Sequence, residues 1–101
     1  MSKRSRPMLA CYEANGARYI RHVDNPDDNG RLLTCIYYLN EGWRPELGGE
    51  LLLFPKSQED VITVEPLLDR LVLFWSDART PHEVLPSRAQ RLAVSTWIHH
   101  R

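Results

Sequence analysis

At 101 residues, 43% of them apolar and 26% charged, the chain has the composition of one small globular domain, which excludes a disordered chain or two independently folding units. Thirteen Lys and Arg balance thirteen Asp and Glu, so no whole-chain field draws in nucleic acid or an anionic lipid surface. Two cysteines, Cys11 and Cys35, are too few for a disulfide scaffold, and no apolar run suits a membrane span or a signal peptide, so cytoplasm, or nucleus by diffusion, is the expected location. The basic cluster Lys3, Arg4 and Arg6 is expected to lie in a flexible tail over residues 1–6. Strands are then expected at residues 8–13, 19–24, 32–39, 50–54, 60–64, 70–75, 82–85 and 90–99, each rich in β-branched, aromatic or alternating apolar residues. Turn signals separate them: Asn15-Gly16, the run from Asn25 to Gly30, Gly48-Gly49, Pro55, Pro66, Pro81 and Pro86. The longest loop, residues 42–47, has room for a single helical turn. With no repeat, no linker and little or no helix, the pattern is one all-β domain over 1–101, a sandwich or barrel of about eight strands.

The sharpest chemical signal is Arg21-His22-Val23-Asp24 on an expected strand, where side chains two apart share a face and set an imidazole beside a carboxylate. Such pairs also occur by chance on solvated surfaces, so a third ligand is needed. His82, just after Pro81 at the start of a short strand, is a better candidate than His99 and His100 at a frayed C-terminus. Two histidines and a carboxylate form the facial triad that holds non-haem Fe(II) and leaves positions open. Arg91 opens the last strand after the turn at Pro86-Ser87-Arg88, and a hairpin there is expected to bring it beside the strand that begins at His82. Its forked, permanent charge suits a dicarboxylic acid whose other end chelates a metal; the plainer alternative, preferred where no triad accompanies it, is a surface Arg paired with an exposed acid. Alternation puts Thr34, Ile36 and Tyr38 on one face of the third strand and Arg91, Ala93, Ser95 and Trp97 on one face of the last. Such a mixture fits either plain core or a small-molecule pocket, mostly apolar with a few directed polar groups.

The runs Met8-Leu-Ala-Cys-Tyr, Tyr19-Ile-Arg-His-Val-Asp-Asn-Pro26, Thr34-Cys-Ile-Tyr-Tyr-Leu-Asn40, Gly48-Gly49, Asp69-Arg70-Leu71, Phe74-Trp-Ser-Asp77 and Pro81-His-Glu-Val84 resemble, in order and spacing, the oxygen-sensing prolyl 4-hydroxylases. The resemblance extends from Arg6 to Trp97. It implies a double-stranded β-helix, the cupin-like jelly roll, and Fe(II)- and 2-oxoglutarate-dependent dioxygenase chemistry, with O2 consumed and ascorbate as a supporting reductant. His22, Asp24 and His82 are then the iron ligands, and Arg91 holds the 2-oxoglutarate C5 carboxylate together with Tyr38. Tyr12, Ile36, Leu51, Val84, Ser95 and Trp97 form the remaining pocket wall, and Tyr19 and Arg31 lie near the substrate proline at the mouth. The carboxylate at Asp24 speaks against a halogenase, in which a small residue there admits halide.

The chain departs from that family at Glu13-Ala14, where Pro-Gly is usual, and in the acidic tip Asp27-Asp28-Asn29. Gly49-Glu50-Leu51 and the ending from Trp97 to Arg101 are closer to bacterial members. The resemblance also implies N-terminal helices behind the major sheet and a C-terminal segment over the substrate, neither of which these residues supply. Either a minimal or truncated core is therefore expected, or a sheet face covered by a second copy or another partner. The expected activity is hydroxylation of a proline in a protein or peptide, with succinate and carbon dioxide released and no nucleic-acid or membrane partner. The alternatives are an oxygenase of the same type with another residue or a small molecule as substrate, or a catalytically poor binding domain.

Overall fold

The computed structural model describes residues 3–25 and 30–99. Residues 26–29, with the acidic tip Asp27-Asp28-Asn29, and His100 lie outside the described residues. The backbone is almost all extended: β1 (Lys3–Arg4), β2 (Met8–Tyr12), β3 (Ala17–His22), β4 (Arg31–Tyr38), β5 (Leu51–Leu53), β6 (Ile62–Val64), β7 (Leu71–Trp75), β8 (His82–Ser87) and β9 (Arg91–His99). A 3-10 turn, Pro45–Leu47, occupies the expected loop, with Pro at its start and Gly48 at φ 68° at its end. All eight expected strands form, and β1 is added.

One antiparallel sheet runs β1-β9-β4-β7, with β2 following β1 along the same edge of β9; the other runs β3-β8-β5-β6. From β2 onward the chain passes back and forth between the sheets, except that β5 and β6 follow each other in the second, giving the jelly-roll arrangement. Leu51, Leu53 and Val84 of the second sheet bury themselves against Phe74 of the first, with Tyr12, Ile36, Val64 and Val72 packed around them. Alternation explains these faces: Val72 and Phe74 point inward between Leu71, Leu73 and Trp75, which point out.

Four local expectations are corrected. Residues 3–5 do not form a loose tail: Lys3 and Arg4 pair with His99 and Ile98, and Ser5 N–H donates to the Trp97 carbonyl at 2.8 Å. The same pairing means that His99 lies in a sheet rather than at a frayed end. Strand β3 ends at His22, so Asp24 sits in a bend beyond it, where the next residue, Asn25, donates its backbone N–H to the Ser76 carbonyl at 2.9 Å. No β8–β9 hairpin forms: β8 is flanked by β3 and β5, and β9 by β2 and β4, so neither has a free edge for the other.

Register shifts in β3 and β8 prepare the site. Tyr19 pairs with Val84 and His22 with His82, so β3 uses three steps where β8 uses two, and the extra residue is a bulge at Ile20-Arg21. Without it, Tyr19 and His22 would point to opposite faces; with it, their rings stack 3.9 Å apart. Toward the other end, Ala17 pairs with Ser87, so the extra residue falls in β8 around Pro86, which has no N–H for a ladder.

Candidate active site

A cleft of about 170 Å³ opens between the sheets, and its wall brings together His22, Asp24, His82 and Arg91 with Tyr12, Tyr19, Ile36, Leu51, Val84, Ser95 and Trp97. The shared inward faces of β4 and β9 explain most of this wall, and β2 adds Met8 and Ala10, which sequence reasoning missed. Two expected residues lie just behind the surface. Tyr38 is fully buried and reaches the cleft through Arg91, and Arg31 covers the Trp97 ring at 3.9 Å.

At one end, the ligand atoms of His22, Asp24 and His82 all lie within 4.8 Å of one another. Asp24 Oδ1 is 3.4 Å from His22 Nε2 and 3.3 Å from His82 Nε2. Donors about 2.1 Å from one ion and at right angles to each other are about 3 Å apart, so this triangle fits a single metal ion. Each imidazole turns its other nitrogen away from the triangle: His22 Nδ1 bonds the Ile20 carbonyl at 2.8 Å and His82 Nδ1 the Thr80 carbonyl at 3.3 Å. A carbonyl partner requires the proton on Nδ1, so each imidazole when neutral turns an Nε2 lone pair to the shared point, and when protonated donates from Nε2 to Asp24. Phe74 packs edge-on against the His82 ring at 4.6 Å.

Thr34 completes the mount and was not read as a site residue. Its hydroxyl donates to Asp24 Oδ2 at 2.6 Å, and the Trp97 indole N–H donates to the same oxygen at 3.1 Å. Thr34 pairs with Phe74 on one side and with Trp97 on the other, so one row across the sheet supports His82 and Asp24 together. Burial alone would raise the Asp24 pKa, but hydrogen bonds from His22, His82 and Thr34 overcome it and hold the carboxyl well below its ordinary value. Burial likewise pulls the His22 pKa down, and the bonds to Asp24 and the Ile20 carbonyl outweigh it, leaving a net upward shift.

Across the cleft, Arg91 is only 5% exposed. Its Nε donates to the Gly49 carbonyl at 2.7 Å and Nη2 to the Tyr38 hydroxyl oxygen at 3.3 Å. The guanidinium also lies 5.1 Å from the Tyr12 ring and 5.2 Å from the Tyr38 ring. Burial raises the Tyr38 pKa against the opposing pull of Arg91, so its proton stays in place. Among the described residues no carboxylate is within ion-pairing distance of Arg91. A buried cation without a counter-charge is costly, and an anionic ligand in the cleft offsets that cost.

The Gly48-Gly49 pair, read only as a turn, is what lets Arg91 into this position. A Cβ at Gly49 (φ 80°) would come within 2.9 Å of Arg91 Cδ, and one at Gly48 within 2.3 Å of the Pro86 carbonyl oxygen. Consecutive glycines beside a buried arginine were the available signal.

The chain as a whole is similar to known proteins. Mouse prolyl hydroxylase EGLN3 is 54% identical over 98 residues, which are 96% of this chain and 41% of the mouse protein. Among solved structures, a Trichoplax adhaerens prolyl hydroxylase in complex with a hypoxia inducible factor oxygen degradation domain peptide fragment superposes with a TM-score of 0.94 at 46% identity, covering 98% of this chain and 46% of that one. A Pseudomonas putida prolyl-4-hydroxylase gives a TM-score of 0.87 at 41% identity, over 94% of this chain and 51% of its own. The chain thus spans about half or less of the length of these relatives. The sequence model of the 2OG-Fe(II) oxygenase superfamily matches residues 7–99, nearly the whole length, and the chain belongs to that superfamily.

Proposed function

We propose that the chain is the catalytic core of an Fe(II)- and 2-oxoglutarate-dependent prolyl 4-hydroxylase acting on a proline in a protein or peptide. The observation that carries this reading is the buried Arg91, without a carboxylate partner among the described residues, facing a two-histidine, one-carboxylate cluster across a single cleft. That pairing suits a ligand with a carboxylate at one end and a metal-chelating 2-oxo acid at the other. The similarity to prolyl hydroxylases, one of them holding a peptide, supports proline in a peptide as the target.

In this reading His22, Asp24 and His82 hold Fe(II), which when bound supplies the means of activating O2. The overall change is balanced: substrate C–H, O2 and 2-oxoglutarate become substrate C–OH, succinate and carbon dioxide. Arg91 forks onto the distal carboxylate of 2-oxoglutarate, Tyr38 donates its hydroxyl proton to it, and the Gly49 carbonyl fixes the plane of the guanidinium. Ile36, Leu51 and Val84 give the cosubstrate chain an apolar wall that sheds water, with Tyr12, Ser95 and Trp97 completing it. Tyr19, half exposed and stacked on His22, and Arg31, over Trp97 behind the cleft wall, are the residues that this reading assigns to the incoming peptide.

Anaerobic titration with Fe(II) and 2-oxoglutarate tests the site. A visible metal-to-ligand charge-transfer band is expected in the parent and absent in Asp24→Ala. Proline-containing peptides incubated with the loaded protein in air are expected to gain one oxygen at C4 by mass spectrometry. A folded parent with no band would sink the reading. A band with 2-oxoglutarate turnover but no proline product would leave an oxygenase of another substrate.

A further inference from the structure

Beside Asp24 lies a chain of two buried hydroxyls, Thr34 in the cleft wall and Ser76 behind it, that the proposed reaction does not use. Thr34 is 1% exposed and Ser76 0%. The one hydroxyl proton of Thr34 goes to Asp24 Oδ2 at 2.6 Å, so in the 2.9 Å contact between Thr34 Oγ1 and Ser76 Oγ it is Ser76 that donates. The direction of the chain is therefore fixed, Ser76 to Thr34 to Asp24. The backbone repeats the connection: Ser76 N–H bonds the Leu32 carbonyl at 2.9 Å, and the Ser76 carbonyl accepts from Asn25, next to Asp24, also at 2.9 Å.

The two oxygens of Asp24 thus meet different surroundings. Oδ2 accepts from Thr34 and from the Trp97 indole, whereas Oδ1 faces Nε2 of both histidines. A carboxylate can bind an ion through one oxygen or chelate it with two, and chelation consumes a position that cosubstrate or oxygen needs. Two donors on Oδ2 compete for its lone pairs and fix the plane of the carboxylate, so chelation would require breaking both bonds. We infer that Ser76 and Thr34 are positioning residues which, with the Trp97 indole, commit Asp24 to ligation through Oδ1 alone and keep a further coordination position open. This rests on the metal-site reading above. Thr34→Val keeps the shape and removes the hydroxyl, Thr34→Ser restores it, and Ser76→Ala removes only the outer donor.

Co(II) titration of the 101-residue chain, followed by its visible d–d absorption, separates the cases. Relative to the parent, Thr34→Val is expected to bind Co(II) about 10- to 100-fold more weakly with an altered d–d spectrum. Thr34→Ser should recover both affinity and spectrum, and Ser76→Ala should move both in the same direction by less. Far-UV circular dichroism checks folding, and if Thr34→Val is unfolded, Ser76→Ala decides. Parent-like affinity and spectrum in the folded Thr34→Val, or in Ser76→Ala when it decides, overturn the inference while leaving the metal site standing. A folded parent that does not bind Co(II) removes the metal site and this inference together.

Discussion

Arg91 shows how much of this site rests on the placement of single atoms. Lysine at that position keeps the charge but loses the fork, and with it the bond to the Gly49 carbonyl and the planar approach to a carboxylate. Arg91→Lys is therefore expected to fold and to raise the KM for 2-oxoglutarate about tenfold or more. Gly49→Ala should act on the same arginine from behind, because the new Cβ would press on Arg91 Cδ at a backbone φ of 80°. Its expected cost is about 1–3 kcal/mol of stability, together with a raised KM. Loss of stability with KM unchanged would show that Gly49 does not orient the arginine. A third residue-scale effect concerns protons. The net upward shift of His22 makes its contribution to stability fully present below the ordinary value of 6.5 and lost as pH rises through the folded value. The depressed Asp24 works in the opposite direction, its contribution being fully present above the ordinary value of 3.8 and lost as pH falls from there through the lowered folded value. The same His22 proton competes with metal, so affinity should begin to fall while pH is still above 6.5. NMR titration of the metal-free protein is expected to give a His22 midpoint above 6.5 that drops in Asp24→Asn, and an unchanged midpoint would remove Asp24 as the cause.

Among the elements, the ends of β4 and β9 are tied by one amide. Asn40 donates through Nδ2 to the Pro66 carbonyl at 2.9 Å and the Leu92 carbonyl at 3.0 Å, and its Oδ1 accepts from Leu92 N–H at 2.7 Å. It mimics a strand just past the end of β4 and holds the residue next to Arg91. Asn40→Ala leaves the Pro66 carbonyl and the Leu92 N–H without these partners, while the Leu92 carbonyl keeps its bond from Leu39 N–H at 3.2 Å, and is expected to cost about 1–3 kcal/mol, lowering Tm by about 4–8 °C for each kcal/mol. A shift below one degree in thermal unfolding would reject that role. The strands themselves were legible because alternation and turn residues are local, and the triad because the chain has only four histidines, whereas Arg91, one of eleven arginines, stood out only by its place at the start of the last strand and by the family resemblance. What the sequence concealed depends on pairing between distant segments. The bulge at Ile20-Arg21 exists only in the register of β3 against β8. Thr34 looks like any inward strand residue until the fold sets Asp24 within 2.6 Å of it. The expected hairpin failed for a similar reason, since each strand's edges were already taken by partners far away in the chain.

At the scale of the whole molecule, the two sheets treat water differently. On the second sheet His82 and Val84 point inward, while Glu83 lies between them and meets Arg21 at 3.8 Å, an apolar-in and charged-out pattern. The first sheet has no such pattern on β7. Leu71, Leu73 and Trp75 are 60%, 58% and 40% exposed, and Leu9 on β2 is 66% exposed. Leu33 and Tyr37, paired with Trp75 and Leu71, continue the same face. A strand apolar on both sides is the signature of one buried on both sides, and Leu71-Val72-Leu73-Phe74-Trp75 is such a run. The 101-residue chain on its own is therefore expected to associate through this face, with a sedimentation-equilibrium mass that rises with concentration. Lysine at two strongly exposed positions, Leu71→Lys with Leu73→Lys, leaves the inward Val72 and Phe74 in place and should restore a monomer that still binds Co(II). Because the cleft lies on the opposite side of this sheet, association and metal binding should vary independently. A parent that stays monomeric at all concentrations would mean that water tolerates the face, and the apolar run would then have to be explained by β-propensity alone.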